Sequence, residues 1–241
     1  MNFNIYTSLV ASIIIQIITG IIEISSLFIK VPLKFAFLKQ IMLFEILVQI
    51  IEGSFYVYWL YNFKSILNIT PKRYFDWVIT TPTMLVSLIF YLIFLRHINN
   101  DNNDNDNNNN YNDNNVSSQL NFFDLFNQEF YTIITILLLN WTMLLFGYLG
   151  EISVIPVLLG VSLGFIPFLI YYYIIYNKYA LLSEDGIKIF LYFFIFWSLY
   201  GVAAVLPYKI KNTLYNILDL FSKNFFGIFL TYLIFTNKLK E

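Results

Sequence analysis

Long unbroken apolar runs dominate this chain, in place of the strict alternation of strands or the one-sided stripe of a soluble helix. Residues 5–29, 35–62, 74–95, 127–149, 152–176, 187–207 and 212–235 read as such runs, each near or above the roughly 20 residues that carry a helix across hydrocarbon. In lipid every backbone polar group must be satisfied within its own segment, which leaves the helix as the economical solution. The pattern predicts an all-α fold: a bundle of seven transmembrane helices forming one domain over residues 1–241. The first run has no Lys or Arg before it, so it reads as a retained helix and not as a signal peptide. The third connection differs from the others. Residues 99–115 comprise twelve Asn, four Asp and one Tyr, a composition that cannot bury apolar area and predicts a disordered loop with no assigned function.

Composition sharpens this picture. Of 241 residues, 59% are hydrophobic and 12% charged, with a mean hydropathy of +0.67, which excludes an ordinary soluble core. A net charge of −1 offers no basic patch for nucleic acid. The absence of cysteine and the single histidine exclude disulfides and a thiolate or multi-histidine metal centre, and no metal is expected. The basic residues outside the runs are unevenly divided. Lys30, Lys34, Lys39, Arg96, Lys178, Lys188, Lys238 and Lys240 flank one side, while Lys64, Lys72, Lys209 and Lys211 flank the other. The positive-inside rule then puts the N-terminus outside, the C-terminus in the cytoplasm and the Asn-rich loop in the cytoplasm.

Ionisable groups inside the runs carry the chemistry. Lys223 lies about eleven residues from either end of the seventh run, near the bilayer midplane, where a free ammonium needs a counter-charge, loses its proton or is consumed in a covalent bond. Asp219 is one helical turn earlier on the same face. In the third run Arg73, Asp76, Thr80 and Ser87 share one polar stripe, and Pro82 interrupts the hydrogen-bond ladder among them. Glu45 and Glu52 lie seven apart on one face of the second run, Glu52 near its middle and Glu45 about 10 Å closer to the cytoplasm. Glu23 and Glu151 sit near the ends of their helices and read as structural, and His97 reads as solvated.

The run Arg73-Tyr74-Phe75-Asp76-Trp77-Val78-Ile79-Thr80-Thr81-Pro82 resembles the third-helix signature of the microbial (type 1) rhodopsins. Asp219 and Lys223 match the family's counterion aspartate and retinal-bearing lysine. Met143 with Phe146-Gly147-Tyr148-Leu149-Gly150-Glu151 is similar to the end of its fourth helix, and Trp197-Ser198-Leu199-Tyr200 to its sixth. The resemblance implies all-trans retinal bound to Lys223 as a protonated Schiff base, with Asp76 and Asp219 as counterions, Arg73 below them and Thr80 hydrogen-bonded to Asp76. It implies pocket walls made by Tyr74, Trp77, Thr81, Met84, Met143, Phe168, Trp197 and Tyr200. Gly201, Ala204 and Phe168 replace bulkier pocket residues of bacteriorhodopsin, so the ring end of the pocket is expected to be roomier.

Ser87 stands where bacteriorhodopsin has the acid that reprotonates the Schiff base, and a serine hydroxyl does not donate at neutral pH. The Asp76-Thr80-Ser87 triplet resembles rhodopsins of giant viruses. Glu45 and Glu52 resemble the glutamate row of channelrhodopsins and are candidates for the missing role, with Glu52 expected off the retinal-contacting stripe. The resemblance implies no enzyme but a light-activated protein moving protons or small cations across a plasma or internal membrane of its host. The missing donor and the glutamate pair favour a light-gated cation channel; an outward proton pump is the alternative, and a photosensor acting through a separate transducer the third reading. Its expected partners are the lipid bilayer and the transported ions, and a homo-oligomer is compatible with this.

Overall fold

The computed structural model describes residues 4–107 and 120–238, and all its regular elements are helical. They are α1 (Ile5–Ser26), α2 (Ala36–Tyr61), α3 (Thr70–Asn107), α4 (Phe122–Gln128), α5 (Phe130–Glu151), α6 (Val157–Lys178), α7 (Glu184–Ala204), α8 (Tyr208–Asp219) and α9 (Phe225–Thr236). A π-helical turn, Leu220–Asn224, joins α8 to α9 in one continuous span. With α1, α2, α3, α5, α6 and α7 this makes seven crossings. Six qualify by length and apolar composition. The other, α2, is 26 residues long, about 39 Å, and buries Glu45, Gln49 and Glu52.

Helix ends follow local chemistry. Asn4 caps α1 by accepting from the Thr7 amide at 2.9 Å, and the Thr7 side chain reciprocates. Ser183 caps α7, with Glu184 and Asp185 in the first turn, where the helix dipole favours negative charge.

Neighbours pack in a closed ring, from α1 to α2, α3, α5, α6, α7 and the α8–α9 span, which returns to α1. Amphipathicity along α1 is inverted: Ser8, Ser12, Gln16 and Glu23 point inward while Ile14, Ile17, Ile18 and Ile21 are exposed. Lipid replaces water as the outer solvent, so the polar groups collect inside. Between α5 and α6 small residues allow close approach, for a Cβ on Gly160 would stand 2.7 Å from the Phe146 carbonyl oxygen and 3.2 Å from the Gly150 Cα. A large cluster including Leu38, Leu88, Phe90, Tyr172, Phe193, Phe226 and Leu230 fills the half of the bundle nearer Arg96.

Four features depart from the sequence expectation, one being the fifth crossing, which begins at Val157 after Pro156 and not at residue 152. The third helix begins at Thr70 and continues to Asn107, so residues 99–107 are helical backbone; extending a formed helix fixes one residue per hydrogen bond gained, far cheaper than nucleation. The rest of the Asn-rich stretch, residues 108–115, lies outside the described residues, as does Lys240. The fourth crossing starts at Phe130, and α4 stands apart before it, capped by Asn121. The seventh begins at Tyr208, directly after Pro207, whose fixed φ suits a helix start.

Candidate functional site

Lys223 lies in the π-helical turn, 3% exposed. Its Nζ donates to Asp76 Oδ2 at 2.9 Å and stands 3.3 Å from Glu52 Oε1 and 3.7 Å from Asp219 Oδ1. The third carboxylate corrects the expectation that Glu52 lies off this stripe: the rotation of α2 aims it at Lys223. Helical spacing along α2 relates Glu52 to Glu45 and says nothing about which neighbour their shared face meets.

The three acids are held differently. Asp219 is saturated: Tyr56 donates to Oδ2, which also accepts from Arg73 Nη1 at 3.4 Å, and Tyr200 donates to Oδ1 at 2.6 Å. By contrast Asp76 Oδ1 and both Glu52 oxygens have no hydrogen-bond partner. The Thr80 hydroxyl donates to the Asp76 main-chain carbonyl at 3.0 Å and stands beside the Asp76 carboxylate. Against Lys223 and Arg73, three ionised acids leave one excess negative charge at a site closed to solvent, a costly arrangement.

Arg73 is fully buried. It donates to Asn212 Oδ1 at 3.2 Å, to Asn216 Oδ1 and to the Tyr56 hydroxyl at 3.3 Å, and its guanidinium lies over Trp59 and Tyr215 with 5.0 and 5.7 Å to the ring centroids. It contacts Asp219, its one ion-pair partner among the described residues. Tyr56, Asn212, Asn216 and Tyr215 were not singled out in the sequence, although the polar Asn212 and Asn216 at i and i+4 in an apolar run are a readable signal.

A cavity with about 760 Å³ of space, mouth included, ends at Lys223. All eight expected walls line it, Tyr74, Trp77, Thr81, Met84, Met143, Phe168, Trp197 and Tyr200. Gly147, Gly164, Phe165, Gly201, Ala204 and Tyr215 also line it. Trp77 meets Tyr200 and Tyr215 edge-on at 5.5 and 5.1 Å. A Cβ on Gly147 would lie 2.7 Å from the Tyr74 hydroxyl, so glycine is what admits Tyr74 to the wall. The room expected at Gly201 is taken by Phe165, whose ring would stand 2.5 Å from a Cβ there. An apolar space lined by aromatic rings and closed by a buried lysine fits a polyene aldehyde linked to that amine.

Ser87 is fully buried on α3 and its Oγ has no partner. It faces Glu45 on α2. Glu45 thus lies in a different part of the bundle from Lys223, as expected. Unpartnered buried polar atoms belong also to Gln16, Glu23, Asn224 and Thr231, which with Glu45 and Glu52 mark a seam where α1, α2 and the α8–α9 span meet. Glu151, read as structural, and His97, read as solvated, are both more deeply engaged. Glu151 accepts from Lys211 at 2.8 Å with both side chains under 10% exposed; His97 is partly buried and has an interaction partner.

The chain matches the family of bacteriorhodopsin-like proteins over residues 4–237. It is similar to the crystal structure of viral rhodopsin OLPVRII, with 27% identity and a TM-score of 0.76 over 96% of this chain and 98% of that one. It is also similar to a blue light-absorbing proteorhodopsin from Med12 (19%, 0.68, 96% of each chain). A third similar structure is xanthorhodopsin, described as a light-driven ion pump with dual chromophore (16%, 0.69, 97% and 93%). The likeness to these last two is one of fold. No curated protein matches the chain.

Proposed function

We propose that this chain, which belongs to the bacteriorhodopsin-like protein family, is a light-gated cation channel built on a retinal pocket that ends at Lys223. Membership supports the coarser assignment: a multi-pass membrane protein that takes retinal and transports ions under light. Retinal linked to the Lys223 nitrogen supplies a light-triggered change of geometry at that atom. The residues around it do the rest. Asp76, at 2.9 Å and with one oxygen free, is the proton acceptor. Asp219, locked by Tyr56 and Tyr200, is the fixed countercharge, and Arg73 is held beneath by Asn212 and Asn216. Trp77, Trp197 and the other aromatic walls restrict rotation inside the pocket.

The observation that carries the channel reading is Glu52. It joins Lys223 to the seam of unpartnered polar groups running past Glu45, and groups that lack protein partners are the ones water or a passing cation satisfies. The distribution of Lys and Arg supports an orientation with the Lys209 end outside and the Arg96 end in the cytoplasm. Whole-cell photocurrents test the reading: a current that reverses sign with voltage supports it. A current outward at all physiological voltages overturns it in favour of an outward proton pump, the reading that the close Asp76–Lys223 contact favours. Lys223→Ala is expected to abolish the visible absorbance formed with all-trans retinal.

A further inference from the structure

We propose that Tyr192 on α7 is a positioning residue for Lys223: from the lipid-facing side of the bundle its hydroxyl holds the main chain of the π-helical turn, and so sets where the lysine nitrogen meets Asp76 and Glu52. The inference rests on the reading above for what is bound to that nitrogen, and on geometry alone for how the nitrogen is held.

The turn Leu220–Asn224 departs from the α repeat at one identifiable bond. In an α-helix the Phe225 amide donates to the Phe221 carbonyl, four residues back. In this chain it donates to the Leu220 carbonyl, the five-residue step of a π turn. The Phe221 carbonyl is passed over by the amide that an α-helix would give it, and it accepts from the Tyr192 hydroxyl at 2.6 Å. Each group completes the other. Phe221 and Phe225 are exposed on the outside of the bundle, where lipid supplies neither a donor for a stray carbonyl nor an acceptor for a stray phenol.

Ring stacking aims the hydroxyl. Tyr192 lies on Phe225 with centroids 4.3 Å apart and 27° between planes, and against Phe196 at 4.5 Å, while Phe196 stacks on Phe221 at 5.2 Å. Two rings of α7 therefore grip both ends of the segment that carries Lys223. Other tethers hold side chains of the turn: the Tyr200 hydroxyl shares a hydrogen bond with Ser222 Oγ at 2.7 Å, and Asn224 Nδ2 donates to Thr19 Oγ1 at 2.7 Å. Tyr192 holds its backbone, two residues before Lys223, and does not line the cavity that ends there.

Without the hydroxyl, the Phe221 carbonyl competes with that of Leu220 for the Phe225 amide. Lys223 sits between these groups, so any drift of the amide toward Phe221 rotates the backbone from which the lysine projects. The nitrogen stands 2.9 Å from Asp76 and 3.3 Å from Glu52, and a small rotation is enough to lengthen the hydrogen bond to Asp76. A hydroxyl outside the bundle thereby adjusts an ion pair inside it.

The dipeptide Phe-Ser occurs once in the chain, at 221–222, so carbonyl-labelled Phe combined with amide-labelled Ser gives a single solid-state NMR signal for the Phe221 carbonyl in lipid bilayers. Tyr192→Phe keeps the stacked ring and removes only the hydroxyl. Before retinal is added, it is expected to move this carbonyl signal upfield, as loss of a hydrogen bond does, and to move the ζ-nitrogen resonance that Lys223→Ala deletes. With all-trans retinal bound, the same variant is expected to shift the visible band to the red and to reduce the deuterium shift of the C=N stretch in the Raman spectrum, because the contact with Asp76 is weaker. Tyr192→Leu, which loses the ring as well, is expected to match these shifts and to melt at a lower temperature. An unmoved Phe221 carbonyl in Tyr192→Phe would overturn the clasp. A moved carbonyl with an unmoved lysine nitrogen would overturn the positioning role, as would a lysine signal that moves only in Tyr192→Leu, since packing alone would then account for the residue. Absence of a visible band in the unmodified protein would instead overturn the retinal reading and leave the retinal-free NMR result standing.

Discussion

Glu52 Oε1 lies 3.3 Å from Lys223 Nζ, on the second helix, while Asp76 meets the same atom at 2.9 Å from the third. Coulomb attraction scales as the inverse of distance, so at these separations either acid, when ionised, acts on the lysine with nearly equal strength. What distinguishes them is the hydrogen bond, which Asp76 has and Glu52 lacks.

Glu52→Gln is accordingly expected to change the colour of the pigment as well as its ion selectivity. Removing a negative charge beside a cationic nitrogen stabilises the ground state less, and the absorption band should move to the red. An unshifted spectrum would show that Glu52 carries no charge at rest or turns away from Lys223 once the pocket is filled.

Asp76→Asn should give the larger red shift, because it removes a charge and a charge-assisted hydrogen bond together. It should also abolish transfer of a proton to this site, leaving no deprotonated intermediate on flash photolysis. If that intermediate persists at ordinary yield, the acceptor is Glu52.

Gly201→Ala places a methyl group 2.5 Å from the Phe165 ring, and the ring has to move into the cavity. Overpacking of this kind costs about 1–3 kcal/mol, seen as a lower melting temperature together with slower uptake of retinal. Adding Phe165→Leu should restore both; failure to do so would mean that Phe165 is not what fills the space.

Glu129 lies just outside the membrane span that α5 forms. Burial pushes its carboxyl up, but hydrogen bonds from Lys178 and Tyr179, each at 2.6 Å, outweigh this and hold it below its ordinary value. A carboxyl depressed in the folded state stabilises above its unfolded pKa and loses that contribution as pH falls through the folded one. Glu129→Gln should therefore lower thermal stability at neutral pH by an amount worth roughly 0.2–1 kcal/mol, since Lys178 is 44% exposed. The difference from the unmodified protein should close on acidification, which melting curves across an acid series would check.

Much of this protein was legible along the chain, because lipid enforces simple local rules. Seven apolar runs had to become helices, since no other open structure satisfies its backbone in hydrocarbon. The i, i+4 spacing of Asp219 and Lys223, and the stripe through Arg73, Asp76, Thr80 and Ser87, follow from the helical repeat alone. Whether Glu52 would face Lys223 was decided elsewhere, by the rotation and depth of α2 against α3 and α9, which depend on contacts between residues far apart in sequence. The same holds for Phe165, which fills the notch at Gly201 only once α6 and α7 pack, and for Glu23, which looks like the polar end of an isolated helix until Gly227 makes room for it. Periodicity fixes which residues share a face; only close packing decides what that face meets.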